Sequence, residues 1–104
     1  MSSDTEPVMV TMTFDATDVE GVAALLARYV VSSRGHPGCR NIDLCASATT
    51  AGRFVVVEKW QSEEHQRVHF DSDTMVEMAT GCRGLLARPP DIDLLDPISA
   101  HDVA

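Results

Sequence analysis

The stretch that decides the fold is VVVEKWQSEEHQRVHFDSD, residues 55–73. It begins as an apolar strand, crosses the chain's only tryptophan, Trp60, and continues as a charged segment that contains His65 and His69. Consecutive valines favour a strand, because β-branched side chains fit a pleated surface. The charged segment favours a surface helix. The two histidines and Trp60 therefore form either a chemical site or the ordinary junction of a strand and a helix.

The segments before this stretch alternate between strand and helix patterns. Residues 8–14 show the period-two alternation of a strand. Its apolar face would comprise Val8, Val10, Met12 and Phe14. Residues 17–35 predict a helix, in which Thr17 and Glu20 have the spacing of a capping box and Gly35 marks the end. Its apolar stripe would comprise Val22, Leu25, Leu26, Tyr29 and Val30.

Two further strands and a second helical region complete the pattern. Residues 39–47 and 53–60 predict strands that the turn ATTAG joins as a hairpin. Ser62 can cap the helix EEHQRVHF, and Thr74 with Glu77 has capping-box spacing for a continuation, MVEMATGCRGLL. A Pro-Pro pair then ends helical structure, and DIDLLDPIS predicts a weak last strand.

The order β-α-β-β-α-β predicts a ferredoxin-like α+β fold, in which both helices cover one face of an antiparallel four-stranded sheet. The third strand contains FVVV at 54–57, and consecutive apolar residues indicate that both faces of this strand are covered. Two helices cover only one face. We therefore expect the other face to meet a second copy of the chain, sheet against sheet, in a homodimer.

Length and charge limit the class of protein. A chain of 104 residues has room for one compact domain, which we place at 8–98, between a flexible leader at 1–7 and a tail at 99–104. With 16 acidic and 8 basic side chains, the net charge is -8. The basic footprint of a nucleic-acid binder is therefore missing, and we expect no nucleic-acid partner.

The cysteines and the apolar runs bear on location. Cys39, Cys45 and Cys82 are an odd number without a paired framework, and no charged-then-apolar leader opens the chain. We therefore expect reduced thiols and a cytoplasmic location. No apolar run approaches the roughly 18 residues that a membrane span needs, so no membrane partner is expected.

Trp60 has two interpretations. A large ring at the end of a strand often closes the core, and few other aromatic residues are available here, since the chain has 3 Phe and 1 Tyr. The functional alternative is that the indole forms a wall of an aromatic substrate pocket, where stacking orients a flat ring.

His65 and His69 lie four residues apart, so they share one face of a helix. A metal site would need further ligands, which Asp43, Glu58 or Cys45 could supply only if the fold brought them together, and no HEXXH motif is present. The pair could equally be solvated. In the remaining interpretation it lines a cavity beside the tryptophan and acts as an acid, base or hydrogen-bond donor near neutral pH.

Asn41, Asp43 and Cys45 share one face of the second strand. They face solvent or the rim of a dimer, or they point under the helices into an apolar pocket that binds substrate, where a buried Asp43 would be a useful base. His36, in the turn RGHPG, is expected to be exposed. No phosphate loop, dinucleotide fingerprint or nucleophile elbow occurs, so no nucleotide or flavin cofactor is expected.

Two segments carry a family resemblance: HPGCRNIDLCAS, in which a PGC turn opens the second strand, and VVVEKWQSEEHQRVHFDSD. Together they resemble the antibiotic biosynthesis monooxygenase (ABM) family, which shows a PGC turn, a strand that ends in Trp, and then Ser and His. Trp60, Ser62 and His69 fall on those positions, and His65 matches a variant of quinol-type members. The resemblance covers nearly the whole domain and implies a dimeric α+β barrel of ferredoxin-like protomers.

The resemblance also implies a chemistry. Similar proteins oxygenate polycyclic phenols, anthrones or quinols without metal or flavin. The protein helps to remove a phenolic or benzylic proton, the resulting anion gives an electron to O2, and the radical pair forms a peroxide that breaks down to a quinone. The implied catalytic residues are Trp60 as an aromatic wall, with His69 and His65 as the polar groups, and no cofactor takes part.

This chain departs from the family pattern at several positions, and these departures bear on which reaction is expected. Haem-degrading relatives carry an Asn on the first strand, a Trp in the second helix and a haem-ligating His beyond it. Here the strand has no Asn, and His69 and Ala79 occupy the other two positions, which disfavours haem degradation. Phenol-oxygenating members carry a set of polar residues on the third strand and in the second helix, and this chain has Val56, Gln66 and Thr80 in their places. Only Trp60 is retained from the family's set. The leading hypothesis is a cofactor-independent monooxygenase. The alternatives are a non-catalytic dimer that binds a small hydrophobic ligand and, third, a haem-binding relative.

Overall fold

The computed structural model describes residues 6–100, so most of the predicted leader and tail lies outside the described residues. Four strands and three helices follow one another as β1 (Val8–Asp15), α1 (Val19–Ser33), β2 (Cys39–Ala46), β3 (Arg53–Trp60), α2 (Glu63–Phe70), α3 (Asp73–Gly81) and β4 (Asp91–Leu95). The strands form one antiparallel sheet in the order β2-β3-β1-β4. This arrangement confirms the predicted ferredoxin-like α+β fold, and the second helical region is divided into α2 and α3.

The helices begin at residues that differ in part from the predicted caps. Ser62 caps α2 as predicted, since its hydroxyl accepts a hydrogen bond from the backbone N–H of His65 at 3.2 Å. Asp18, not Thr17, caps α1, and Ser72, not Thr74, caps α3. A cap needs an extended backbone whose side-chain oxygen reaches the first free N–H groups, and both observed caps have that conformation.

The core lies between the helices and one face of the sheet, as the strand periodicity predicts. On β1 the alternation is complete, because every second residue is buried. The buried residues of β1 are Val8, Val10, Met12 and Phe14, and those of β3 are Phe54, Val56, Glu58 and Trp60. On α1 the buried stripe comprises Val22, Leu26, Tyr29, Val30 and Ser33.

The opposite face of the sheet is not covered by any of the helices. Val55 and Val57 of β3 point to this outer face and are half-buried by their neighbours alone. Across the strand pair, Met9 and Thr11 of β1 belong to the same face. The homodimer expected from this apolar strip stays a prediction.

The PGC turn packs on the start of α2. Gly38 has φ +80°, and a Cβ added at this residue would lie 2.3 Å from Cγ of His65, so only glycine fits there. The carbonyl oxygen of Gly38 also accepts a hydrogen bond from the backbone N–H of Gln61 at 2.8 Å. These contacts hold the turn, and with it His36, beside α2.

Candidate functional site

A buried carboxylate lies at the centre of the candidate site. Alternation along β3 directs Glu58 toward the helices, where only 2% of the residue is exposed. One carboxylate oxygen, Oε1, accepts a hydrogen bond from Nε1 of Trp60, and Oε2 accepts one from the hydroxyl of Tyr29, each at 2.8 Å. Both donors are uncharged. Burial therefore raises the pKa of Glu58, and the two hydrogen bonds offset this shift only in part.

Tyr29 joins this carboxylate to two histidines. Its hydroxyl oxygen lies 2.8 Å from Nε2 of His69, and Nδ1 of His69 lies 2.9 Å from Nδ1 of His36. The other ring nitrogen of His36, Nε2, lies 3.2 Å from Oγ1 of Thr74. The contacts form one continuous series, which we call the polar network: Trp60, Glu58, Tyr29, His69, His36 and Thr74.

Burial fixes the charge state of the middle of the network. The pKa of His69 is lowered to about 4, first by burial and then by the neighbouring His36, so the ring is neutral at pH 7. The pKa of Tyr29 is raised by burial and by Glu58, so the phenol keeps its proton. The indole of Trp60 stacks on the neutral ring of His69, with 4.4 Å between centroids and 29° between planes.

The network draws on five separate segments of the chain. The apolar stripe of α1 supplies Tyr29, and alternate positions of β3 supply Glu58 and Trp60. The PGC turn supplies His36, and the last turn of α2 supplies His69. The first turn of α3 supplies Thr74. Within residues 6–100, every buried side-chain nitrogen and oxygen atom has a hydrogen-bond partner, so the network is fully satisfied.

The structure brings two of the three predicted catalytic residues together and separates the third. Trp60 and His69 are in direct contact, but both are buried, at 0% and 3% exposure. His65 is half-buried, and its Nδ1 lies 2.8 Å from the Oγ of Ser62. His65 therefore lies at the start of α2 beside Gly38 of the turn, and its described hydrogen bonds go to Ser62 and not to the network. The described residues contain no group of three or more His, Cys, Asp or Glu side chains that could hold a metal ion.

The three predicted substrate-binding residues lie on the outer face of the sheet. Asn41, Asp43 and Cys45 are all exposed, whereas Ile42, between the first two, is buried. The amide Nδ2 of Asn41 donates a hydrogen bond to Oδ2 of Asp43 at 3.0 Å. Of the two locations that the sequence left open, the structure has the exposed one, because strand parity gives the face under the helices to Ile42. A role in substrate binding stays a prediction.

Sequence reasoning missed three members of the network, Glu58, Tyr29 and Thr74, and misplaced a fourth, His36. Thr74 was considered only as a helix cap. Glu58 was considered only as a metal ligand, although it alternates with the buried Val56 and Trp60. Tyr29 was assigned to the apolar stripe of α1, and its hydroxyl was not used. His36 is not the expected exposed turn residue, because it is half-buried and contacts His69. A charged side chain at an inward strand position was the signal available in the sequence.

Two cavities lie beside the network, under and behind α3. The larger, of about 680 Å³, is bounded by α3 and by β1 and β4. Its walls are mostly apolar and include Met12, Phe14, Phe70, Met75, Met78 and Ile92. The smaller, of about 520 Å³, lies between α1 and α3 and is lined by Tyr29 and Thr74 of the network. Trp60 and His69 line neither cavity.

The larger cavity begins close to the network. Val10 pairs with Glu58 across the sheet, and Met12, two residues further along β1, forms part of the cavity wall. Two strand residues span roughly 7 Å. Met78 lines both cavities, so its side chain stands between the apolar space and the space that reaches Tyr29.

Comparisons with known proteins agree with this architecture. A family model described as "Antibiotic biosynthesis monooxygenase" matches residues 7–81. The fold is similar to Rv0793 of Mycobacterium tuberculosis, with a TM-score of 0.85 and 28% identity over 92% of this chain and 99% of that one. It is similar to PA3566 of Pseudomonas aeruginosa, with a TM-score of 0.82 and 23% identity over 90% and 96% of the two chains.

A third similar structure is SnoaB of Streptomyces nogalater, described as a cofactor-independent oxygenase. Its TM-score is 0.81 and its identity 15%, over 93% of this chain and 98% of that one. At this identity the likeness concerns the fold alone. The search of curated proteins gave no significant match. Among the described residues, none of the helices has the length and apolar character needed to cross a membrane.

Proposed function

Since the chain belongs to the antibiotic biosynthesis monooxygenase family, we propose that it is a monooxygenase that oxidises a small aromatic phenol, anthrone or quinol with O2 and without a cofactor. The observation that carries the proposal is the mostly apolar cavity of about 680 Å³ under α3. Its volume lies within the range of small-molecule sites, roughly 300–1,000 Å³. A structural neighbour described as a cofactor-independent oxygenase, SnoaB, supports the reaction type.

The proposed reaction requires a mostly apolar space for the substrate and a proton acceptor nearby. Loss of a proton from the substrate gives an anion that transfers one electron to O2. The substrate radical and superoxide combine to a peroxide anion, which takes back the proton first removed. The resulting hydroperoxide loses water and leaves the carbonyl of the quinone. The apolar walls would contact the aromatic rings of the anion, and the adjacent polar network contains Glu58, the buried carboxylate that would accept the proton. Met78, whose unbranched side chain adapts readily, would open the path between substrate and Tyr29.

The predicted site residues take the following places in this proposal. Trp60 and His69 act from behind the cavity, where Trp60 holds Glu58 and His69 carries protons. A direct role for His65 would require it to leave Ser62. Asn41, Asp43 and Cys45, on the outer face, would contact substrate only if a partner subunit brought a cavity to them.

We also propose that the outer face is the interface of a homodimer. Val55, Val57 and Met9 form an apolar strip on it, and Leu95 of β4, which is 39% exposed, extends the strip across the sheet. Replacing Val57 with Lys would place a charge at the centre of this strip. Light scattering after gel filtration is expected to give a dimer for the parent chain and a monomer for Val57→Lys, whereas Val31→Lys, at a helix position 66% exposed, leaves the dimer unchanged.

One observation favours a second function, the binding of a small hydrophobic ligand without catalysis. Trp60 and His69 are packed inside the core, so the aromatic wall and the histidine of the family pattern do not reach a cavity in this structure. In that case the cavity under α3 would hold a ligand, and the polar network would serve stability alone.

The test is O2 consumption by metal-free protein with a panel of anthrones, phenols and hydroquinones. The parent chain is expected to consume O2 above the rate of each substrate alone. Ala79→Trp, which fills the mouth of the larger cavity from α3, should abolish both turnover and binding. Ala27→Trp is the matched control, since Ala27 is an exposed helix position outside both cavities. Saturable binding without O2 uptake would reject the monooxygenase and favour the ligand-binding function.

A further inference from the structure

The hydrogen bonds of the polar network are compatible with two proton arrangements of opposite direction. When Glu58 is charged, Tyr29 donates to it, and Nε2–H of His69 donates to the oxygen of Tyr29. Nδ1 of His69 then accepts from Nδ1–H of His36, whose Nε2 accepts from the hydroxyl of Thr74. Each donor has an acceptor, and each ring is neutral.

When Glu58 is protonated, every bond runs the other way. The carboxyl donates to the oxygen of Tyr29, and the phenol donates to Nε2 of His69. Nδ1–H of His69 donates to Nδ1 of His36, and Nε2–H of His36 donates to Thr74. This arrangement holds one proton more than the first. Trp60 donates to Oε1 of Glu58 in both.

We propose that Glu58 is a buried proton acceptor that exchanges its proton with solvent along the side chains of the polar network. A proton enters at Nε2 of His36, and Nδ1 of His36 passes its own proton to His69. His69 passes the proton on Nε2 to the oxygen of Tyr29, whose hydroxyl proton moves to Glu58. Four proton shifts thus deliver one proton, and no group keeps a charge at the end.

The surroundings of Glu58 favour such an exchange over a fixed charge. Its lateral neighbours across the sheet, Val10 and Ile42, are apolar. The nearby thiol of Cys39 stays neutral, because burial and Glu58 both raise its pKa. The guanidinium of Arg34 donates to the carbonyl oxygen of Ile42 at 3.1 Å. The carboxylate is therefore held by neutral donors, and burial favours its protonated form.

The outer end of the network reaches solvent. His36 is half-buried, and both of its chain neighbours, Gly35 and Pro37, are exposed in the turn before β2. Thr74, at the end of the series, is also half-buried and lines the smaller cavity. Glu77 lines the same cavity and is the carboxylate one helical turn beyond. A proton taken up at His36 therefore comes from the surface, while Glu58 lies in the core.

Trp60 provides a built-in reporter, because it is the only tryptophan, donates to Glu58 and stacks on His69. The experiment is a stopped-flow pH jump that follows Trp60 fluorescence, with a parallel pH titration of its indole N–H resonance by NMR. In the parent chain both signals should follow the titration of Glu58. Glu58→Gln should remove that transition from both signals.

Two variants interrupt the path at different points. Tyr29→Phe removes only the hydroxyl, and His36→Leu removes both ring nitrogens at the half-buried outer end. Each should leave a Glu58 transition in the equilibrium titration but slow the pH-jump response at least tenfold. His65→Gln, at a histidine outside the network, should respond at the parent rate. If Tyr29→Phe does not fold, His36→Leu alone carries the kinetic test.

The proposal is overturned if both interrupted variants respond at the parent rate, since Glu58 would then exchange protons by another route. It is also overturned if the parent chain shows no Glu58 transition, which would make the network purely structural. The inference does not depend on the proposed oxygenation, because these measurements use no substrate. If the pH-jump response is slowed in the variants but the parent chain consumes no O2, only the proposed monooxygenase activity is rejected. If the parent chain consumes O2 but the variants respond at the parent rate, only the proposed proton path is rejected.

Discussion

The two ends of the helix layer differ in what they contain. Under α1 and α2, the space above the sheet is filled by the polar network, whose central residues are buried and fully hydrogen-bonded. Under α3, the same sheet carries Met12 and Phe14 at the floor of an open apolar cavity. The first end therefore holds most of the polar network, and the second holds the larger, mostly apolar cavity.

Neither end by itself would suffice for the proposed oxygenation. An apolar cavity binds an aromatic molecule but does not by itself remove its proton, and a buried carboxylate accepts a proton only from a group in contact with its network. The two ends meet where Phe70 follows His69 and Met75 follows Thr74 in the chain. Packing at this boundary decides whether a proton can pass from a molecule in the cavity to the polar network.

The greatest loss of stability is expected from a substitution under α1 and α2, where the polar network fills the space. Trp60→Ala removes a ring that is 0% exposed and leaves Glu58 with one donor fewer, so the free energy of unfolding should fall by about 3–5 kcal/mol. Phe70→Ala removes a ring that is 42% exposed at the cavity end and should cost far less. Urea unfolding of both variants measures the two losses in the free energy of unfolding. Equal losses would mean that the two ends do not differ in packing.

The next effect is a pH dependence from His69. Its folded pKa of about 4 lies below its ordinary value of 6.5, so the unfolded chain takes up this proton first. The contribution of neutral His69 to the free energy of unfolding is therefore fully present above pH 6.5. It falls by about 3 kcal/mol as the pH drops to 4. His69→Gln should flatten the stability curve in this window, measured by urea unfolding at several pH values. His65→Gln, four residues away, should keep the slope of the parent chain.

A smaller effect of opposite sign should come from Glu58. Burial raises the pKa of Glu58 in the folded chain. Its contribution to the free energy of unfolding is therefore fully present below the ordinary pKa of 4.5 and is lost as the pH rises through the folded pKa. Glu58→Gln should therefore gain stability relative to the parent chain as the pH rises above 4.5. Thermal unfolding from pH 4.5 to 8 measures the difference. A difference that stays constant across this range would show that Glu58 does not carry a raised pKa.

Much of the fold could be predicted from the sequence because its signals are local. The alternation of β1, the Ser62 cap and four of the five residues of the α1 stripe depend on neighbouring residues, and the structure confirms them. The caps of α1 and α3 were each misplaced by one or two residues, because several residues with capping side chains occur together there. Only the backbone conformation decides among them.

The candidate site was less predictable because it is assembled from distant segments. Trp60 and His69 were identified through the family resemblance, but Tyr29 and Glu58 are 29 residues apart in the chain and meet only after folding. His36 reaches its partner because Gly38 lets the turn pack on α2, which the PGC motif by itself does not reveal. The cavity depends on how α3 sits over β1, and no local pattern encodes that distance.

The methyl groups of the methionines provide a direct test of whether a substrate occupies the cavity under α3, as proposed. Met12, Met75 and Met78 line that cavity, whereas Met9 points to the outer face. In a methyl NMR titration with a non-oxidisable polycyclic quinone, the three cavity methyl resonances should shift in a saturable manner while that of Met9 stays in place. Shifts confined to Met9, or none at any methionine, would contradict the account.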